Sequence, residues 1–444
     1  MPRGESAPSS ASTGIGKHCG GSNVTEEIVM DEDQPNWFVG VDWASQTHHV
    51  VLIDSSGHKV AERSFAHGGQ GMSDLAAWIA KHTGEPPAAV PVAIEVPHGP
   101  VVEGLMERGF PVHSINPKQL DRFRDRFSPA GAKDDSRDAE VLASALRTDP
   151  RCLRRLERLD PVVVELREWS RIAEDLRHDR NRLGNRVREL LWRYYPQMLD
   201  LTDDVTTPWF LELWALVPTP DKAARIREST VGRLLKKHRI RRFSAAEAID
   251  RLRTPALQVA PGTVSAATGH LESVAKRLQL VNREIAAADD RLDRLTARLA
   301  TAGETEPGQA SEQHDVTILR TLPGVGRIVA ATLLAEAFDA LRRRDYQALR
   351  CLSGVAPVTR RSGKSRIVVM RQAAAGRLRN AVYHWARVAT QHDPASRAKY
   401  DALRKRGHNH ARALRSVADR LLAVACAMLA ARTAFDPNRA TSPT

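Results

Sequence analysis

Asp42, Glu95, Asp135 and Asp138 are the residues of this chain whose types and spacing suit metal chemistry. Asp42 closes the apolar run Phe38-Val39-Gly40-Val41, and Glu95 closes Pro91-Val92-Ala93-Ile94, so each carboxylate falls where a buried strand is expected to end. Asp135 and Asp138, in AKDDSRDAEVLASAL, are three apart at the start of a helical pattern, which puts them on one helix face. A carboxylate at the end of a central strand is costly unless it is paired or metal-bound. Convergent carboxylates suit hydrated Mg²⁺, or Mn²⁺ in its place, because such ions take oxygen ligands. Two metals held this way stabilise both the attacking and the leaving oxygen of a phosphodiester, so nucleic-acid cleavage is the expected chemistry. Each acid also has a plain alternative role. Asp42 and Glu95 can be turn residues, Asp134 or Asp135 a helix N-cap, and Asp138 a partner of the helix dipole.

A second constellation is GVAPVTRRSGKSRIVVM at 354–370, where Arg360, Arg361, Lys364 and Arg366 surround Ser362 and Gly363. Such cations hold a phosphate beside the hydroxyl. An unactivated serine needs a base or a metal to take its proton, and no base is encoded nearby. On residue chemistry alone, a loop that contacts phosphate is therefore favoured over a nucleophile. Arg377 and Arg379, in RQAAAGRLRNAV, extend the set of nucleic-acid-binding candidates.

These residues need elements to position them. Residues 36–148 read as an α/β domain: three short strands, then helix, strand, helix, strand and helix, the order of an RNase H-like fold. Residues 149–313 read as a helical region that suits an antiparallel or intermolecular coiled coil, or else a helical hairpin packed on its own domain. Its long charged helical patterns lie at 160–197 and 271–302, with an insertion at 198–270. Residues 314–435 read as a mostly helical C-terminal domain, in which Pro323-Gly324-Val325-Gly326 has the layout of a helix-hairpin-helix turn, or of a plain turn between packed helices. Residues 1–35, polar and rich in Ser and Gly, and 436–444 read as tails.

Composition narrows the class of partner. The 444 residues carry 66 Lys and Arg against 53 Asp and Glu, a net charge of +13. Residues 321–444 hold 23 of those bases and only 7 of the acids, a local +16, while the remainder is nearly balanced. Basic charge so concentrated is the footprint of a polyanion. No apolar run reaches membrane-spanning length, the longest being LLAVACAMLAA, so no membrane partner is expected. Four scattered cysteines without zinc or disulfide spacing point to a reducing cytoplasm.

On these motifs the chain resembles the DEDD transposases of the insertion-sequence one-ten family, the bridge-RNA-guided recombinases. The resemblance runs over roughly residues 36–435 and rests on VGVDWA, AIEVPHGP, INPKQ, KDDSRDAEVLA, LPGVG and LSGVAPVTRRSG, in that order. It implies a RuvC-like N-terminal domain whose Asp42, Glu95, Asp135 and Asp138 bind Mg²⁺, a coiled coil at 149–313 that dimerises the chain, and a C-terminal domain whose Ser362 is the nucleophile. By the same resemblance the serine forms a covalent phosphoserine with DNA, and the acids of one subunit act beside the serine of another. The implied partners are target and donor DNA, a structured guide RNA and further copies of the chain, from dimer to tetramer, at the bacterial nucleoid. The chain departs from the family in carrying Asp134 where Ser or Thr is usual, and Gln372 and Ala374 in a basic–x–Gly element. The alternatives are a RuvC-like nuclease or junction resolvase in which water attacks, and a non-catalytic nucleic-acid-binding relative.

Overall fold

The computed structural model describes residues 35–127, 135–255, 257–301, 310–363 and 365–437, so the two expected tails fall almost wholly outside the described residues. The chain divides into two compact units, one ending at Arg158 and the other beginning at Leu159.

The first unit is built on strands β1 (Trp37–Trp43), β2 (Thr47–Asp54) and β3 (Lys59–Ala66), joined as antiparallel neighbours. Helix α1 (Gly69–Thr83) leads to β4 (Val92–Ile94), α2 (Pro100–Glu107) and β5 (Val112–Ser114), then α3 (Pro117–Arg124), α4 (Asp135–Thr148) and the short β6 (Arg154–Arg155). The sheet order is β3-β2-β1-β4-β5-β6, with β1, β4 and β5 parallel. This is a mixed α/β sheet, consistent with the RNase H-like element order expected, with one additional helix, α3, ahead of α4 and the edge strand β6 after it. Strand periodicity sorts the two faces. Val39, Val41, Val92 and Ile94 join α1 and α2 residues in one core, whereas Phe38 and Ala93 join Leu120, Ala139 and Leu142 of α3 and α4 in the other.

The second unit is helical apart from one hairpin. Its axis is a pair of long helices, α5 (Pro161–Tyr194) and, after α6 (Pro208–Leu216), α7 (Pro220–Arg225), α8 (Glu228–Lys237) and α9 (Ala245–Leu252), α10 (Pro261–Thr301). The two lie antiparallel within one chain, since Val163, Leu166 and Ala173 share a core with Ala288–Leu299 while Leu183–Tyr194 share one with Ala267–Leu278. Glu165–Arg291 and Arg177–Asp289 bridge the pair. The segment expected as an insertion, 198–270, folds over the distal end around Trp209, Phe210 and Trp214. At the other end pack α11 (Ala310–Thr321), α12 (Arg327–Glu336), α13 (Phe338–Arg342) and α14 (Tyr346–Leu352). The hairpin of β7 (Val358–Ser362) and β8 (Ser365–Val369) follows, then α15 (Gly376–His392), α16 (Pro394–Lys405) and α17 (His410–Ala431).

Glycine at 324 has a packing reason. Its φ is +81°, and a Cβ there would stand 2.9 Å from the Ala389 nitrogen and 3.1 Å from the Trp385 carbonyl. The Trp385 indole donates to the Pro323 carbonyl at 2.9 Å, so the 323–326 turn is clamped on α15. Trp385 is fully buried. Trp385→Ala is expected to cost about 3–5 kcal/mol through the cavity and the lost anchor. Urea unfolding measures it, and a loss under about 1 kcal/mol would mean that the turn is held by something else.

Candidate metal centre

β1 and β4 run parallel with Val41 beside Ile94, so Asp42, one residue short of the end of β1, and Glu95, the first residue past β4, follow at the same end of the sheet. Alternation places both on the α4 face of the sheet, with Phe38, Gly40 and Ala93. Helix α4 lies directly on β1, because a Cβ at Gly40 would fall 1.8 Å from the Ala139 carbonyl oxygen. That close approach carries Asp138, the residue before Ala139, to the same end of the sheet. Its side chain is only 3% exposed. The start of α4 is held from the β3 side, where Ser136 donates to Glu62 at 2.8 Å and Lys59 bridges Glu62 and Glu140. Asp135 is the first residue of α4, one turn ahead of Asp138; its side chain lies outside the described residues.

The residue absent from the expectations is Arg124, at the end of α3. Its Nε donates to Asp138 Oδ1 at 2.6 Å and its Nη2 to Oδ2 at 2.8 Å, a bidentate pair. The same Nη2 stands 3.9 Å from Glu95 Oε2, and Nη1 donates to Asp121 at 2.5 Å. Burial alone would lower the Arg124 pKa; the bond to Asp138 and the charges of Asp138, Asp121 and Glu95 outweigh it and raise the guanidinium above the ordinary arginine value. One guanidinium thus reaches two of the four acids, which fixes them as neighbours. Among the described residues, no three His, Cys, Asp or Glu side chains are disposed to hold a metal. The chemistry of the donor set nonetheless fits a hard divalent cation, since two strands and one helix supply oxygen donors only. Arg124 holds the place of positive charge there.

Ser362 sits on the other unit, at the end of β7, paired with Ser365 of β8, and Gly363 begins the turn with φ +53°. Arg360 lies opposite Ile367 on Ser362's face of the hairpin, and Arg361 lies opposite Arg366 on the reverse face. All five are exposed, Ile367 at 57%. Two like charges directly opposite on an isolated two-stranded hairpin disfavour it until an anion intervenes. Lys364 lies outside the described residues. The remaining basic candidates are engaged internally. Arg377 bonds Glu174 at 2.6 Å and Asp175 at 3.0 Å, and Arg379 donates to the Gln372 carbonyl at 2.8 Å.

A mixed α/β sheet with acids near its strand ends and on the covering helix is the arrangement common to sheet-based nucleases and transposases. Comparison with known proteins narrows it. A transposase model of the DEDD, IS110 type matches residues 39–196, and the transposase IS116/IS110/IS902 family model matches residues 316–401. The chain is 33% identical over 425 residues to the IS117 mini-circle protein of Streptomyces coelicolor, covering 93% of this chain and 99% of that one. The y4uE protein of Sinorhizobium fredii is 65% identical over 214 residues, 48% of this chain and 60% of that protein, so the match spans under two thirds of y4uE. The IS110 43.6 kDa protein of Streptomyces coelicolor is 27% identical over 92% of this chain. The chain belongs to the IS116/IS110/IS902 family of insertion-sequence transposases. No helix among the described residues is long and apolar enough to cross a membrane.

Proposed function

We propose that this protein is an RNA-guided DNA transposase that cleaves and exchanges strands with Mg²⁺, held by Asp42, Glu95, Asp135 and Asp138, and with Ser362 as nucleophile. The observation that supports the reading is that Asp42 and Glu95 follow paired positions of the parallel strands β1 and β4, while Arg124 joins Asp138 of the covering helix to Glu95. When bound, the metal stabilises the charge that builds on the phosphoryl group and on the leaving oxygen. Ser362 Oγ gives up its proton to solvent and attacks phosphorus, the Oγ–P bond forms as the P–O bond to the strand breaks, and the departing strand oxygen takes a proton back from solvent to leave as a free hydroxyl. A hydroxyl of the exchanged strand then attacks the phosphoserine and releases the serine. Arg360, on the same hairpin face, neutralises the non-bridging oxygens, while Arg361 and Arg366 meet backbone phosphate on the reverse face. In the family's arrangement, the acids of one subunit serve the serine of another within a dimer or tetramer. A structured guide RNA pairs with target and donor DNA, and the protein holds its shape and backbone. Support for the guide comes from the family resemblance and from the local +16 over residues 321–444.

The test is to incubate the full chain with Mg²⁺, labelled target DNA and RNA from the element's flank, then resolve the products under denaturing conditions. A DNA-linked protein band that disappears in Ser362→Ala is expected. Hydrolysed ends without an adduct would sink the serine mechanism and leave a water-using nuclease. Binding with no cleavage or joining under any guide would indicate the non-catalytic relative.

A further inference from the structure

Arg124 bonds both oxygens of Asp138 and approaches Glu95 with the same Nη2. An arginine joined to a single exposed acid would be an ordinary surface pair, of little consequence. Here the carboxylate is buried, and the guanidinium takes up both of its oxygens. A buried carboxylate with no countercharge is strongly disfavoured, so this fold requires a cation at Asp138 whether or not a metal is present. A divalent ion on the same oxygens would stand within a few ångströms of the guanidinium, and like charges at that range in a partly buried site repel strongly.

We propose that Arg124 is a resident counter-ion which a divalent cation must displace, so that guanidinium and metal compete for Asp138 and Glu95. The proposal rests on the metal reading of the acids given above. Asp121, one turn earlier on α3, is the place to which the guanidinium goes. It is 65% exposed and already bonded to Nη1, so a modest rotation about the Arg124 side chain exchanges the buried partner for the exposed one. Arg124 thereby keeps the acids assembled and charge-balanced before metal arrives, and sets a threshold on the metal concentration at which the site loads. It is a positioning residue, acting on the acids rather than on substrate.

Isothermal titration of the full chain with MnCl₂ at fixed ionic strength tests this, with melting followed by circular dichroism with and without metal. Arg124→Ala is expected to bind Mn²⁺ about tenfold more tightly than the natural protein. It should also melt lower without metal, and regain more on adding it. Asp121→Asn removes the exposed alternative, and is expected to weaken Mn²⁺ binding severalfold with little change in metal-free melting. Because that site is exposed, the second variant carries the test if Arg124→Ala folds poorly without metal. Equal Mn²⁺ affinity in the natural protein and Asp121→Asn, or weaker affinity in a folded Arg124→Ala, overturns the competition alone. Absence of binding in every protein overturns the metal reading and this proposal with it.

Discussion

Asp138→Ala is expected to reduce metal-dependent strand cleavage about a thousandfold or more, and to destabilise the first unit as well. The activity loss follows from removing a buried donor of the metal site: several kcal/mol of transition-state stabilisation come from the metal, and each 1.4 kcal/mol is tenfold in rate. The stability loss has a different origin. Asp138 is 3% exposed and Arg124 25%, so the pair is mostly screened from water and its loss leaves a half-buried guanidinium with less than its full complement of charge. Breaking such a pair from one side costs about 3–5 kcal/mol when it is fully buried. Here Asp121 and Glu95 remain near the guanidinium, which places the expected cost nearer 2 kcal/mol. Asp138→Asn separates the effects, since the amide oxygen still accepts from Arg124 but cannot neutralise a cation. Its cleavage should fall as far as in the alanine variant, with a smaller drop in melting temperature. A guide-loaded cleavage assay beside a thermal melt makes the comparison, and cleavage kept within tenfold in both variants would remove Asp138 from the site.

Much of this arrangement is legible before any coordinates, because it follows from short-range rules. An apolar run that ends in a carboxylate, found twice, marks strand ends, and period-two alternation then settles which face each acid takes. Three-residue spacing in a helix start accounts for Asp135 and Asp138. What is illegible depends on contacts distant in sequence. Arg124 has an acid three residues before it in Asp121, and nothing local tells that its main partner lies fourteen residues on, in the first turn of the next helix. Arg377 looks like a phosphate contact in its basic neighbourhood, yet Glu174 and Asp175 of α5 hold it. The glycines of Pro323-Gly324-Val325-Gly326 suit either a phosphate turn or a plain turn between packed helices, and the backbone of α15 against Gly324 gives the second a reason. In each case the local composition is the same for both uses, and only the packing partner distinguishes them.

Gly40 shows how strongly packing governs the chemistry, and Gly40→Ala is expected to lower activity by about a hundredfold or more without touching any acid. The three nearest atoms to a Cβ at this position are the Ala139 carbonyl oxygen at 1.8 Å, the Ala143 nitrogen at 2.7 Å and the Ala139 carbonyl carbon at 2.9 Å, all backbone. No side chain can swing aside, so α4 must lift from β1. Overpacking of this kind costs roughly 3 kcal/mol or more, which for a unit of this size lowers the melting temperature by about 10 °C. The displacement acts at Asp138, the residue beside Ala139, and carries it away from Asp42 and Glu95. Catalytic groups misplaced by about 1 Å lose on the order of a hundredfold in rate, so cleavage should fall by at least that factor even well below the melting temperature. Gly104→Ala is the matched control: it lies within α2, its nearest neighbour would be the flexible Met72 Cε at 3.4 Å, and alanine favours the helix by about 1 kcal/mol. The control should melt at or above the natural protein with full activity. Equal melting temperatures for Gly40→Ala and the natural protein would mean that α4 has room to spare over β1, and that the acids are aligned by Arg124 and the Lys59–Glu140 tether rather than by the closeness of helix to strand.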